Sequence, residues 1–143
     1  MPHLWLRLWF VCGALFAALP ARAQGYSPPA IAGHVTDAAG KLSPPETAKL
    51  EAKLADYRRC SSNHVAVFVA RSLEGHPIED VAYATFNRWK VGEAGKDNGV
   101  LLVIAPAERK VRIETGKGVG GELTDLQASE IVRQRISPRL AAG

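Results

Sequence analysis

The sequence is short of the residues that carry covalent and metal chemistry. It has two cysteines, one methionine and 7% aromatics in 143 residues. Cys12 lies in an N-terminal apolar run, which leaves Cys60 as the sole thiol of the remainder and excludes an internal disulfide there. In an oxidising compartment a lone cysteine is either packed away or open to an intermolecular bond; Cys60 reads as a small residue at a helix end. The histidines beyond that run, His34, His64 and His76, are not spaced as zinc ligands, and no G-x-S-x-G elbow occurs. Lys and Arg are scattered rather than clustered among aromatics, which argues against a nucleic-acid partner. No second long apolar run follows the first, so no transmembrane segment is expected in the mature chain.

The N-terminus supplies the first positive signal. Arg7 precedes an uncharged, mostly apolar stretch from Leu8 to Leu19, and Ala21-Arg22-Ala23 is a small-x-small cleavage site. Residues 1–23 therefore read as a secretory signal peptide, and the stretch is too short to span a bilayer, which needs about 20 apolar residues. The leader holds Arg7 and Arg22 and no acid, so the formal charge of +4 falls to +2 once it is removed. The expected location is a bacterial periplasm or the cell exterior.

Residues 24–33, with Pro28, Pro29 and two glycines, read as an extended lead-in. His34-Val35-Thr36 suggests a short strand. Ser43-Pro44-Pro45-Glu46 is a helix start with a capping box, and Leu50, Leu54 and Tyr57 share one face of the helix that follows, to about Arg59. Residues 64–70 are almost continuously apolar, as in a strand buried on both faces. Ile78, Val81, Ala82, Thr85, Phe86 and Trp89 form a helix stripe over residues 77–90. Residues 100–105 read as a second buried strand. Residues 110–115 alternate, as in an antiparallel strand with one wet face. Thr124-Asp125-Leu126-Gln127 opens a last helix, striped by Ala128, Ile131, Val132 and Ile136 until Pro138 disturbs it. The unit from strand 64–70 through the helix to strand 100–105 should be a right-handed parallel crossover. The expected fold is α/β: one domain, a small mixed sheet with helices on both faces.

This order places chemistry at one end of the sheet. Asp97-Asn98-Gly99 precedes the strand at Val100, and the antiparallel strand returns Gly116-Lys117-Gly118 to that end, where the last helix begins. Asp97 and Asp125 are thus the candidate metal ligands. Asn98, Gly116, Lys117, Gly118 and Glu122 are candidates for the same metal or for an anion. Carboxylates with loop carbonyls suit Ca²⁺ or Mg²⁺, and loop N–H groups beside a helix N-terminus suit an anion. Asn98-Gly99 is equally an ordinary turn pair, and Asp125 equally a helix-dipole partner. Asp37 ranks lower because it falls at the opposite end of the sheet. Gly116, Gly118 and Gly121 spell G-x-G-x-x-G, but the helix starts too late and no acid lies beyond Glu130, so no nucleotide cofactor is expected.

Several stretches together resemble the TPM domain family: Val35-Thr-Asp37-Ala-Ala-Gly40, Ala84-Thr-Phe86-Asn-Arg-Trp89, Lys96-Asp97-Asn98-Gly99-Val100-Leu101-Leu102, Arg109-Lys-Val-Arg112-Ile113-Glu114, Gly116-Lys-Gly118 and Leu123-Thr124-Asp125. The resemblance assigns residues 34–143 to the domain and implies a three-layer α/β/α, Rossmann-like sandwich. It also implies divalent-metal binding and acid phosphatase activity, both attributed to some members. The chain departs from the family pattern at Ser61-Ser62, where Thr-Gly is usual. It also departs after Ser137-Pro138, where the family continues into a further segment and a final helix; that reads either as a naturally minimal version or as a domain truncated at the C-terminus, which would leave one flank of the sheet less covered.

Two functions follow as expectations. One is an exported, divalent-cation-binding module that acts through protein partners, such as a membrane-protein complex or another exported protein. The other is a metal-assisted phosphatase for phosphate monoesters, in which Lys117 or the loop N–H groups steady the phosphate. No nucleophile or general base with a clear partner accompanies the second.

Overall fold

A computed structural model describes residues 24–142 of the chain. The proposed signal peptide, with Cys12, Arg7 and Arg22, lies outside the described residues. The elements run β1 (Val35–Asp37), α1 (Pro44–Ser61), β2 (His64–Val69), α2 (Ile78–Trp89), β3 (Gly99–Ala105), β4 (Lys110–Thr115), α3 (Asp125–Ile131), a π-helical turn (Val132–Ile136) and α4 (Ser137–Ala141). The sheet order is β1-β2-β3-β4. β1, β2 and β3 are parallel, and β4 returns antiparallel to β3. This is the small mixed α/β sheet expected from the sequence.

The two faces of the sheet are dressed unequally. On one, Ala66 and Phe68 of β2, Ala70 just beyond it, and Leu101, Val103 and Ala105 of β3 pack against Ile78, Val81, Ala82 and Trp89 of α2. The α2 stripe is buried as its spacing requires, with Phe86 half-buried at its margin. Thr85 sits in this core because its hydroxyl donates to the Val81 carbonyl at 2.7 Å, leaving only its methyl to pack. On the other face Val35, Val67 and Val69 meet Leu50 and Leu54 of α1. No residue of α1 is fully buried, and Tyr57, expected on its inner face, is 47% exposed.

β3 departs from the expectation of burial on both faces. Leu101 and Val103 are buried beneath α2, whereas Val100, Leu102 and Ile104 are only half-buried. The reason is lateral: α1 packs on β1 and β2 and stops short of β3. The last helix also differs from a regular stripe. Ala128 is buried but Ile131 is 38% exposed. Pro138 lacks an N–H and crowds the carbonyl four residues back, and the chain accommodates it by widening into the π turn just before it.

Candidate functional site

At the N-terminal end of β3 the backbone is tightly braced. Gly116 N–H donates to the Gly99 carbonyl at 2.9 Å, and Gly118 N–H to the Asp97 carbonyl at 3.0 Å. A Cβ on Gly116 would fall far inside van der Waals contact with the Asp97 carbonyl oxygen, and one on Gly118 far inside contact with the Lys96 carbonyl oxygen. These glycines are required by close backbone approach, not by a ligand. The remainder of the loop is internally bonded: N–H groups of Val119, Gly120, Glu122 and Leu123 donate to the carbonyls of Gly116, Lys117 and Val119. Those groups are therefore not presented to an anion.

Asn98 is the keystone of the brace. It is buried, its Nδ2 donates to the Ser62 carbonyl at 2.6 Å, and its Oδ1 accepts from Glu93 N–H at 2.8 Å. Its carbonyl accepts from His64 N–H. Asn98 thus joins the C-cap of α1 to the loop before β3, with both its amide nitrogen and its amide oxygen engaged in that tie. Asp97 follows a different logic. It has a left-handed φ of 49°, which a short polar side chain tolerates, and its carboxylate is exposed.

The other candidates are not all gathered with it. Glu122 opens on a shallow cavity of about 340 Å³ with Gln127, Glu130, Gln134 and Arg135. Asp125 opens on a separate cleft of about 140 Å³ with Glu79, Arg112 and Ser129. The structure brings Asp97, Asn98, Gly116 and Gly118 together and sends Glu122 and Asp125 to different surfaces. Lys117 is exposed on the loop. Asp37 pairs with Val69 at the far end of the sheet, where its carboxylate accepts from Ala39 and Leu42 N–H groups at 3.1 and 2.7 Å. Among the described residues, no three His, Cys, Asp or Glu side chains are grouped so as to hold a metal ion. The described residues thus form no closed protein cage for a metal.

Sequence reasoning missed two features. His34 and His64 were set aside for their spacing, yet their rings meet edge to face at 5.3 Å. His64 Nδ1 accepts from Gly92 N–H at 3.0 Å, so the ring is held neutral with its proton on Nε2. Burial, then the charges of Arg58 and His34, lower its pKa below the ordinary 6.5, with Glu93 opposing. The unfolded chain therefore takes up this proton first. The His64 contribution to stability is complete above about pH 6.5 and is lost as pH falls through the lowered folded-state value. A melting temperature that drops between pH 7 and pH 5.5, with a shallower drop in His64→Gln, is the expected result.

The second feature is Glu108, in the turn between β3 and β4. Its Oε1 accepts from Leu73 N–H at 2.8 Å and from the Ser72 hydroxyl at 3.0 Å, while Oε2 is buried without a partner. The Leu73 N–H, and to a lesser degree Ser72, hold its carboxyl below the usual range. Nearby, burial and the charges of Glu74 and Glu108 raise the Tyr26 phenol. Cys60 is exposed in the last turn of α1. No helix of the described residues is long and apolar enough to cross a membrane.

Comparison with known proteins agrees with this architecture. The N-terminal domain of a P. gingivalis protein, solved by NMR, is 34% identical, with a TM-score of 0.71 over 77% of this chain and 70% of that one. The N-terminal domain of a Corynebacterium glutamicum protein shares the fold at 20% identity, with a TM-score of 0.61 over 83% and 74% of the two chains. No curated protein matches the chain. The family model described as the TPM domain matches residues 35–143, nearly all of the described chain. The chain belongs to the TPM domain family.

Proposed function

We propose that this TPM domain is an exported, non-catalytic binding module that acts through protein partners and carries a loosely held divalent cation. One observation supports this over a phosphatase: six N–H groups of the glycine loop are spent on the protein's own hydrogen bonds, and the Asn98 amide is buried and engaged at both its nitrogen and its oxygen. A phosphoryl group has no prepared cradle there, and among the described residues of that loop no hydroxyl or thiol is hydrogen-bonded to a base. Asp97 and Asp125 remain as the exposed carboxylates for a hydrated Ca²⁺ or Mg²⁺, each on its own surface.

The test pairs stability with turnover. A cation bound at a Kd of about 1 mM and supplied at roughly 10 mM stabilises by about 1.4 kcal/mol. For a domain of this size that is a rise of roughly 5 °C in melting temperature. The expected result is such a rise with Ca²⁺ or Mg²⁺ and no hydrolysis of p-nitrophenyl phosphate above background. Asp97→Asn and Asp125→Asn, made singly, assign the share of each carboxylate. Hydrolysis that needs the cation and is lost in either variant overturns the binding-module reading in favour of the phosphatase.

A further inference from the structure

His34 and His64 lie side by side where β1 and β2 begin, yet their rings are bonded in opposite senses. The Val65 carbonyl can only accept, so its 3.1 Å contact fixes a proton on His34 Nδ1. Gly92 N–H can only donate, so its 3.0 Å contact fixes a lone pair on His64 Nδ1. Acid therefore treats the two rings differently. A second proton on His34 goes to Nε2 and leaves its bond in place. A second proton on His64 goes to Nδ1, the nitrogen that Gly92 needs as an acceptor, and sets N–H against N–H.

The loop held by that bond is tied to itself. Lys96 and Asp97 N–H groups both donate to the Glu93 carbonyl at 3.1 Å, and Lys96 Nζ pairs with the Glu93 carboxylate at 2.7 Å. Residues 94–97 are exposed. Gly92 presses on the β3 backbone, where a Cβ would meet Gly99. Three ties join the loop to the body among the described residues. His64 holds Gly92 N–H, the Asn98 side chain holds Glu93 N–H at 2.8 Å, and the Asp97 carbonyl takes Gly118 N–H at 3.0 Å. Of these acceptors, His64 alone changes its bonding capacity between pH 7 and pH 5.

Burial, then Arg58 from α1 and His34 from the start of β1, oppose a charge on the His64 ring, and Glu93 on the loop favours it. The β3 residue beside the ring is Gly99, which carries no charge. Glu51 of α1 is spent on the backbone, accepting from His34 and Val35 N–H groups at 3.1 and 2.7 Å. The ring is thus neutral at pH 7 and charges below the ordinary 6.5.

We infer that His64 is an acid-operated latch on the loop 92–97: neutral, it holds the Gly92 N–H; protonated on Nδ1, it lets that end of the loop swing out while the strands stay paired. Only a proton moves, from solvent to Nδ1, so release is reversible. The Asp97 carbonyl braces Gly118, so acid also loosens the tie between this loop and the glycine loop. The inference goes beyond the proposed function and stands whether or not the domain binds a cation or hydrolyses a phosphate ester.

The experiment reads amide hydrogen exchange in the purified protein at pH 7 and pH 5, each as protection over the unstructured rate at that pH. Gly92 protection is expected to fall about tenfold in acid. That exchange should be insensitive to about 1 M urea, the mark of a small local opening, whereas exchange at the core residues Phe68 and Leu101 should quicken with urea. The Gly92 amide signal should titrate with the same midpoint as the His64 ring. In His64→Asn the side-chain oxygen stands where Nδ1 does and does not titrate, so Gly92 protection should be the same at both pH values. In His34→Gln the fall should persist. No protection at Gly92 at pH 7, no fall in acid, or a midpoint different from that of the ring overturns the latch. So does a fall as sensitive to urea as that of Phe68, a fall that survives in His64→Asn, or one lost in His34→Gln.

Discussion

Gly116→Ala is expected to cost about 3 kcal/mol of stability, at the upper end of what overpacking a tight site costs. The added methyl would collide with the Asp97 carbonyl oxygen, and both partners are backbone, so no side chain can swing aside. Gly116 is also hydrogen-bonded to Gly99, the first residue of β3, which fixes its own position. Relief would require β3 and β4 to part at the end where the crossover loop enters. In a thermal melt this amounts to a drop of roughly 12 °C. Gly121→Ala is the matched control: nothing lies within 4 Å of the position a Cβ would take, and its melting temperature should stay within about 2 °C of the parent. Equal melting of the two variants would remove the close backbone approach as the reason for the glycine at 116.

Asn98→Ala is the second large effect. The substitution leaves the Ser62 carbonyl and the Glu93 N–H without their partners; Asn98 itself is buried, Glu93 half-buried and Ser62 exposed. Water can re-solvate part of what is orphaned, so the expected loss is about 2 kcal/mol, within the roughly 1–3 kcal/mol that one unpartnered buried group costs. The effect has a second reading built in. Were Asn98 a metal ligand, the variant would lose its response to calcium; as a structural tie, it melts lower by a constant amount with and without the ion. Melting curves at zero and 10 mM calcium therefore separate the two roles.

Most of the fold was legible because its signals are local. The α2 stripe, the apolar run of β2, the alternation of β4 and the capping residues Ser43 and Thr124 each report on a few adjacent residues. Glu46 Oε2 accepts from Ser43 N–H at 2.8 Å and Thr124 N–H donates to Gln127, as the capping boxes required. Lateral coverage was not legible. The run Val100–Ala105 looks the same whether one helix or two lie above it, and only the placement of α1 over β1 and β2 decides that Leu102 stays half-exposed. The convergence of Asp97 with the glycine loop followed from topology alone. The separation of Asp125 from it depends on how the loop 116–124 turns to set α3 against β4, which residue types do not announce. Asn98 was visible as a turn residue, but its tie to Ser62 spans 36 positions of sequence.

The departure at Ser61-Ser62 also acquires a physical meaning. Ser62 caps α1 in a left-handed conformation, φ 64°, where glycine carries no Cβ penalty. The serine there accepts backbone strain at the residue whose carbonyl Asn98 holds.

The covered edges set how far this molecule can multiply. Endless stacking of sheets requires a donor side and an acceptor side on every subunit, so that each arrival leaves a fresh template behind it. Among the described residues, Glu51 caps the Val35 and His34 N–H groups at the β1 side, and α3 and the π turn lie against β4 at the other. Growth of this sheet from copy to copy would first have to strip α1 from β1 or α3 from β4.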